Sequence, residues 1–218
     1  MPKIPFRIIL LISLLALLIV GIQIGALTIA FEKLDLTRDS ALLLLITIMA
    51  GSMINLPLFS IRSERPDPEK MPLQLRELYH SIPYTGRTLV MANVGGCVAP
   101  SAFCFYLMSH HPMNLFKIAA AVSAVALLSY KLSRSIPGIG LGMPVFLAPL
   151  LAALLSVSLD PLNAAPMAFI SGTLGVLIGA DLMHFPEIRK MGVPFASIGG
   201  AGSFDGIFIS GIVAVLLT

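Results

Sequence analysis

The sequence predicts an all-α fold, a polytopic transmembrane bundle of about seven spans, on three observations. The chain of 218 residues is 57% hydrophobic and only 11% charged, against roughly 25% charged residues in a soluble domain. Its charges are bunched, and none interrupts Ile8–Phe31, Ser40–Ile61, Thr88–Phe116, Ser135–Leu159 or Pro161–Ala180. Each of these intervals is long enough to cross a hydrocarbon core, which takes about 20 helical residues. The lysines and arginines, finally, fall on alternate sides of the apolar runs with a strong bias to one side.

In chain order the predicted spans are Ile8–Phe31, Ala41–Ile61, Thr88–Met108, Leu115–Tyr130, Met143–Leu159, Ala165–Met183 and Ala196–Leu217. Helix is favoured over a barrel because the apolar runs are continuous rather than alternating. A helix also bonds its own backbone groups in lipid. The first run is too long for the apolar part of a signal peptide, and more spans follow it. The fourth and fifth are short, and tilted, re-entrant or internally packed placements are all open to them. Cys97 and Cys104 lie seven apart on the third span, about 10 Å along a helix and beyond disulfide reach. They read as small apolar packing residues.

With the N-terminus cytoplasmic, Lys3, Arg7, Arg62, Arg65, Lys70, Arg76, Arg87, Lys131, Arg134, Arg189 and Lys190 lie inside. Lys33, Arg38 and Lys117 lie outside. The expected setting is a multi-pass protein of the cell membrane with its C-terminus outside. The net charge of +3 then reports topology, and no basic patch with interleaved aromatics points to nucleic acid. The one long loop, 62–87, is cytoplasmic. Its Leu75, Leu78, Tyr79 and Ile82 recur at i, i+3, i+4 and i+7, the pattern of an amphipathic helix lying at the interface.

The whole chain reads as one transmembrane domain, 1–218, with an internal echo. Span two ends Asn55-Leu-Pro-Leu-Phe-Ser-Ile-Arg62 and span six ends Asp181-Leu-Met-His-Phe-Pro-Glu-Ile-Arg189. Each sets a polar residue, then a Pro, then Ile-Arg at the cytoplasmic rim. Span three opens Val94-Gly-Gly-Cys-Val-Ala-Pro-Ser101 and span seven opens Ile198-Gly-Gly-Ala-Gly-Ser-Phe-Asp205. The expectation is a 3+1+3 parallel repeat, 1–108 and 143–218, with 115–130 as a linker helix and with helices broken by Gly and Pro. Transporters built from parallel repeats carry their site between the repeats, near interrupted helices.

Of the eleven acids, Asp181 and Asp205 alone sit inside predicted spans. An ionisable group there is expensive and faces a cavity, a partner or a pathway. No Lys or Arg is near either in sequence, so the pair must share a proton or hold a cation. Asp205 follows Gly199, Gly200 and Gly202, and an unwound stretch there frees backbone groups to bind. The competing explanation for the glycines, helix packing through Gly202-x-x-x-Gly206 and Gly175-x-x-x-Gly179, does not require the aspartate. In ideal helices Asp205 lies about 10 Å deeper than Asp181, and the two meet only if span seven starts unwound. Asn55 and Ser101, beside the breaks at Pro57 and Pro100, complete the candidate ion- or ligand-binding set. Asp181, His184 and Glu187 have the spacing of a metal cluster, but Pro186 interrupts it and one His is thin for a transition metal. No metal or cofactor is expected, and His110-His111 reads as a solvated loop pair.

Two functions follow from this set. In a proton- or cation-coupled permease for a small solute, Asp181 and Asp205 bind the coupling ion. In an intramembrane aspartyl hydrolase acting on a membrane-embedded peptide, they are the general base and general acid. Spans six and seven are similar to presenilin-type intramembrane proteases, which carry two aspartates on adjacent antiparallel spans, the second after Gly-x-Gly-Asp. Here that stretch is Gly200-Ala-Gly-Ser-Phe-Asp205, two residues longer, no Tyr precedes Asp181, and Ala148-Pro-Leu150 scrambles the family's Pro-Ala-Leu. A resemblance covering nearly the whole chain rests on Gly179-Ala-Asp-Leu182, Gly199-Gly-Ala-Gly-Ser-Phe-Asp-Gly-Ile-Phe208 and Asn55-Leu-Pro57. By these the chain resembles an uncharacterised prokaryotic membrane family, domain of unknown function 1614. That resemblance implies a bacterial or archaeal membrane protein and brings no activity with it.

Overall fold

A computed structural model describes residues 24–64, 86–136, 140–144, 146–191, 193–200 and 203–218. The side chains of 135–136, 140–142, 190–191 and 203–206 lie outside the description. The predicted interfacial helix within 62–87 and most of the first span fall outside the described residues. Helices dominate the rest. Helix α1 covers 24–33 and turns through Asp35, whose φ is 56°, into α2 (Arg38–Gly51). Thr37 caps α2, its hydroxyl accepting the Ser40 N–H at 3.3 Å.

Beyond Gly51 the structure departs from the expected spans. Span two gives way to strand β1 (Asn55–Arg62). Span three opens as strand β2 (Arg87–Asn93), continues through one π-helical stretch, Val94–Val98, and becomes α3 (Ala99–His110). The physical reasons lie in the sequence. Pro57 has no N–H and biases Leu56 away from helix. Along β2, Thr88, Val90 and Ala92 are buried while the residues between them are less so, the period of a strand. Apolar residues on both faces hide that period from a hydropathy count.

Helix α4 (Leu115–Leu132), capped by Asn114 through the Phe116 N–H at 2.9 Å, covers the predicted linker. A short hairpin, β3 (Arg134–Ile136) and β4 (Gly140–Gly142), separates it from α5 (Leu147–Leu159). Then come α6 (Ala164–Val176), a second π-helical stretch, Leu177–Leu182, and α7 (Phe185–Met191). Span seven opens as strand β5 (Phe195–Ile198) before α8 (Ser203–Leu216).

Strands β1, β2 and β5 form one sheet in that order. The β1–β2 pair is antiparallel, from Asn55↔Asn93 at one end to Arg62↔Arg87 at the other, with an irregularity at Pro57. Strand β5 pairs with β2 in parallel, from Leu89↔Phe195 to Ala92↔Ile198. Each of β2 and β5 therefore runs the same way into a Gly-Gly pair and a helix. The run Pro161–Arg189 is the central column of the molecule, with 78% of the residues in one 18-residue stretch of it buried. Phe169 on that column is fully buried, packing against Phe103 of α3 at 5.1 Å and Phe208 of α8 at 6.3 Å between ring centroids.

Candidate functional site: a polar node at two strand ends

The deep ends of β2 and β5 meet at glycine. A Cβ on Gly96 would strike the Gly199 backbone, and one on Gly199 would strike Gly96 and Cys97. Gly199 also has φ of +66°, which other residues adopt only with strain. Gly95 is pressed as closely against Ile48, Gly51 and Ser52 of α2. Bare backbone at these three positions lets α2, the first π stretch and β5 converge.

Polar side chains occupy the convergence. Asn93, 2% exposed, donates through Nδ2 to the Ser52 carbonyl at 2.7 Å and to Asn55 Oδ1 at 3.1 Å. Its Oδ1 accepts the Gly96 N–H at 2.8 Å, which caps the π stretch. Asn55 Oδ1 also accepts from Ser197 Oγ of β5 at 2.5 Å. On the far side of β5, Asp181 Oδ2 accepts the Gly199 N–H at 2.7 Å. Asp181 itself is 7% exposed within the second π stretch. Asn55 and Asp181 thus flank the end of one strand, one reaching it through Ser197 and the other through Gly199.

Helices α6 and α8 run antiparallel, since Gly172 faces Ser210, Gly211 and Ala214 while Gly211 faces Phe169 and Thr173. Asp205 lies six residues before Gly211, at the height of Ile178, about one turn from Asp181. Other sequence candidates are dispersed. Ser101 is half-buried in the first turn of α3 and makes no hydrogen bond to the node. Gly200 donates its N–H back to the Ser197 carbonyl at 3.2 Å. Gly202 and the Asp205 side chain lie outside the described residues. Among the described residues, Asp181, His184 and Glu187 gather no metal-ligand cluster.

Sequence reasoning passed over Asn93 and Ser197. An Asn just ahead of an apolar helical run is a capping signal, and Asn93 before Val94-Gly-Gly96 carries it. Nothing marks Ser197 until β5 is seen as a strand. With this geometry in view, the comparisons become informative. A family model described as a protein of unknown function, DUF1614, matches residues 49–217. The chain belongs to that family. Its match spans every element of the node, from α2 to α8 of this DUF1614 chain. No curated protein and no solved structure matches it.

Proposed function

We propose that this chain is a multi-pass protein of the cell membrane, N-terminus cytoplasmic and C-terminus outside, that couples movement of a small solute to a proton or cation at Asp181 and Asp205. Two helices, Leu115–Leu132 and Pro161–Arg189, are long and apolar enough to cross a bilayer. The first of them is only 28% buried, unlike the core helix of a soluble protein. Helix α2 turns Leu42, Leu43, Ile46, Met49 and Met53 outward, each more than half exposed. Apolar faces of that extent suit lipid rather than water. The predicted outer loops also gather, with Lys33, Asp35, His111, Leu162 and Thr218 lining one shallow cavity.

One observation carries the transport reading: two strand–Gly-Gly–helix breaks run parallel and touch at Gly96 and Gly199, with a buried carboxylate bonded to the contact. Interrupted helices meeting at a charged group are how transporters build a site between repeats, and the sequence echo of 1–108 in 143–218 fits two such halves. Asn55 and Asp181 then line the pathway beside β5. The test is proton or cation flux into proteoliposomes, driven by an imposed gradient and read by an entrapped ion-sensitive dye. Asp181→Asn keeps an acceptor for the Gly199 N–H and removes the titrating group. Flux is expected to be lost in this variant and in Asp205→Asn. Undiminished flux in both ends the reading.

A second reading is favoured by the position of Asp205 about one turn from Asp181 on the facing helix. Two aspartates about one turn apart on facing helices suit an aspartyl hydrolase, with one as base and the other as acid. If the two variants keep flux and lose cleavage of a membrane-embedded peptide, the hydrolase replaces the permease.

A further inference from the structure

His184 lies one turn beyond Asp181 toward the Arg62–Arg87–Arg189 rim, and it is 3% exposed. A buried histidine at the end of an apolar column needs a reason, and its hydrogen bond supplies part of one. The second π stretch bonds the Met183 N–H to the Ile178 carbonyl at 2.8 Å, taking the amide that an α-helix would give to Gly179. The Gly179 carbonyl instead receives His184 Nδ1 at 3.0 Å. A carbonyl can only accept, so Nδ1 carries the hydrogen. In the neutral ring Nε2 is then the lone-pair nitrogen.

The ring is also fixed in plane. Tyr130 of α4 lies against it, centroids 4.7 Å apart and tilted by 45°. Gly179 permits this approach, because a Cβ there would strike Ala126 and Ser129 of α4. Ser129 on that helix and Ser133 at its C-cap follow one another by a helical turn, both buried with hydroxyls that have no partner among the described residues. Among the described residues, titratable neighbours of the ring are Asp181 and Glu187, each one turn away on its own column, and Tyr130 on α4.

We propose that His184 is the proton relay between Asp181 and the cytoplasmic rim. This rests on the ion-coupled reading of Asp181. The proton leaves the Asp181 carboxyl and reaches Nε2 by way of water, since the two side chains bond to Gly199 and Gly179 rather than to each other, giving an imidazolium while the carboxyl becomes a carboxylate. It departs from the same Nε2 toward the rim, because Nδ1–H stays held by Gly179. No other bond changes, and no co-reactant is required. The unpartnered hydroxyls of Ser129 and Ser133 supply polar stepping points on the facing helix.

The experiment uses the full chain in proteoliposomes with an imposed pH gradient and an entrapped pH dye, and compares Asp181→Asn with His184→Asn. Asparagine at 184 keeps a short donor for the Gly179 carbonyl but has no basic nitrogen. The relay predicts that proton flux in His184→Asn falls at least ~10-fold, the scale on which a positioned proton carrier acts. Adding free imidazole to His184→Gly should restore part of the flux, which a purely structural histidine would not allow. If Asp181→Asn abolishes flux while His184→Asn keeps its rate, the relay is overturned and the ion-coupled reading stands. If Asp181→Asn leaves flux unchanged, both are overturned. Nitrogen NMR of the labelled full chain in nanodiscs gives a check independent of flux: a neutral His184 ring protonated on Nε2 overturns the relay.

Discussion

Asn93 holds more of the node together than Asp181. Its amide is fully engaged, with two acceptors on Nδ2 and one donor on Oδ1, and that pattern fixes the orientation of the amide group. Asn93→Ala would leave the Gly96 N–H without its cap and Asn55 with one partner fewer. Each buried polar group so orphaned costs about 1–3 kcal/mol. The expected result is a clear drop in the thermal midpoint of the detergent-solubilised protein, read by loss of its monodisperse peak after heating. Asn93→Asp should be worse than Ala, since a carboxylate would face the Ser52 carbonyl and Asn55 Oδ1 with no hydrogen to give. An Asp variant as stable as the wild type would show that the amide bonds contribute nothing. Asp181, Asn55 and Gly199 were legible in the sequence because polar and Gly residues stand out in apolar runs. The bonding of His184 was not, because it depends on a backbone state that hydropathy does not encode, and Asn93 was marked only by its capping position.

At the scale of elements, the glycines divide sharply. Gly96 and Gly199 have backbone where a Cβ would go, whereas Gly25 on α1 has nothing within 4 Å. Gly96→Ala and Gly199→Ala should each destabilise by about 1–3 kcal/mol through overpacking, and Gly199→Ala further through its positive φ. Gly25→Ala should be neutral or slightly stabilising. Thermal midpoints of the three variants test this ranking, and equal midpoints would refute the close crossing. The helices Leu115–Leu132 and Ala164–Val176 were readable from their apolar length. Strands β1, β2 and β5 were not, because a short run that is apolar on both faces, whether buried or exposed as in β1, cannot be told from a helix segment by composition. Pro57 and the Thr88-Leu-Val run were the available signs. The two π stretches have no sequence signature of this kind, since they are set by how neighbouring helices pack.

For the whole molecule, the two ends differ in kind. One end gathers Lys33, Asp35, His111, Leu162 and Thr218. At the other, Arg62 stands opposite Arg87, and the Arg189 side chain donates to the Arg62 carbonyl at 3.4 Å. The proposed orientation predicts that, in a background with Cys97 and Cys104 replaced by Ala, a thiol at Leu162→Cys reacts with an impermeant reagent only from outside. A thiol at Glu64→Cys should react only after the inner face is opened. Labelling of both positions from one side would remove the multi-pass arrangement. The parallel pairing of β2 with β5 bears on how such a chain is made. Leu89 waits for Phe195, which is synthesised 106 positions later. Until then β2 has only β1 beside it, and its second edge holds amides and carbonyls that a bilayer cannot hydrate. Insertion of the early segments and completion of the sheet are therefore separate events. In the proposed membrane setting, the nascent protein must keep β2 at a hydrated interface, or under a chaperoning surface, until the ribosome delivers the strand that closes it.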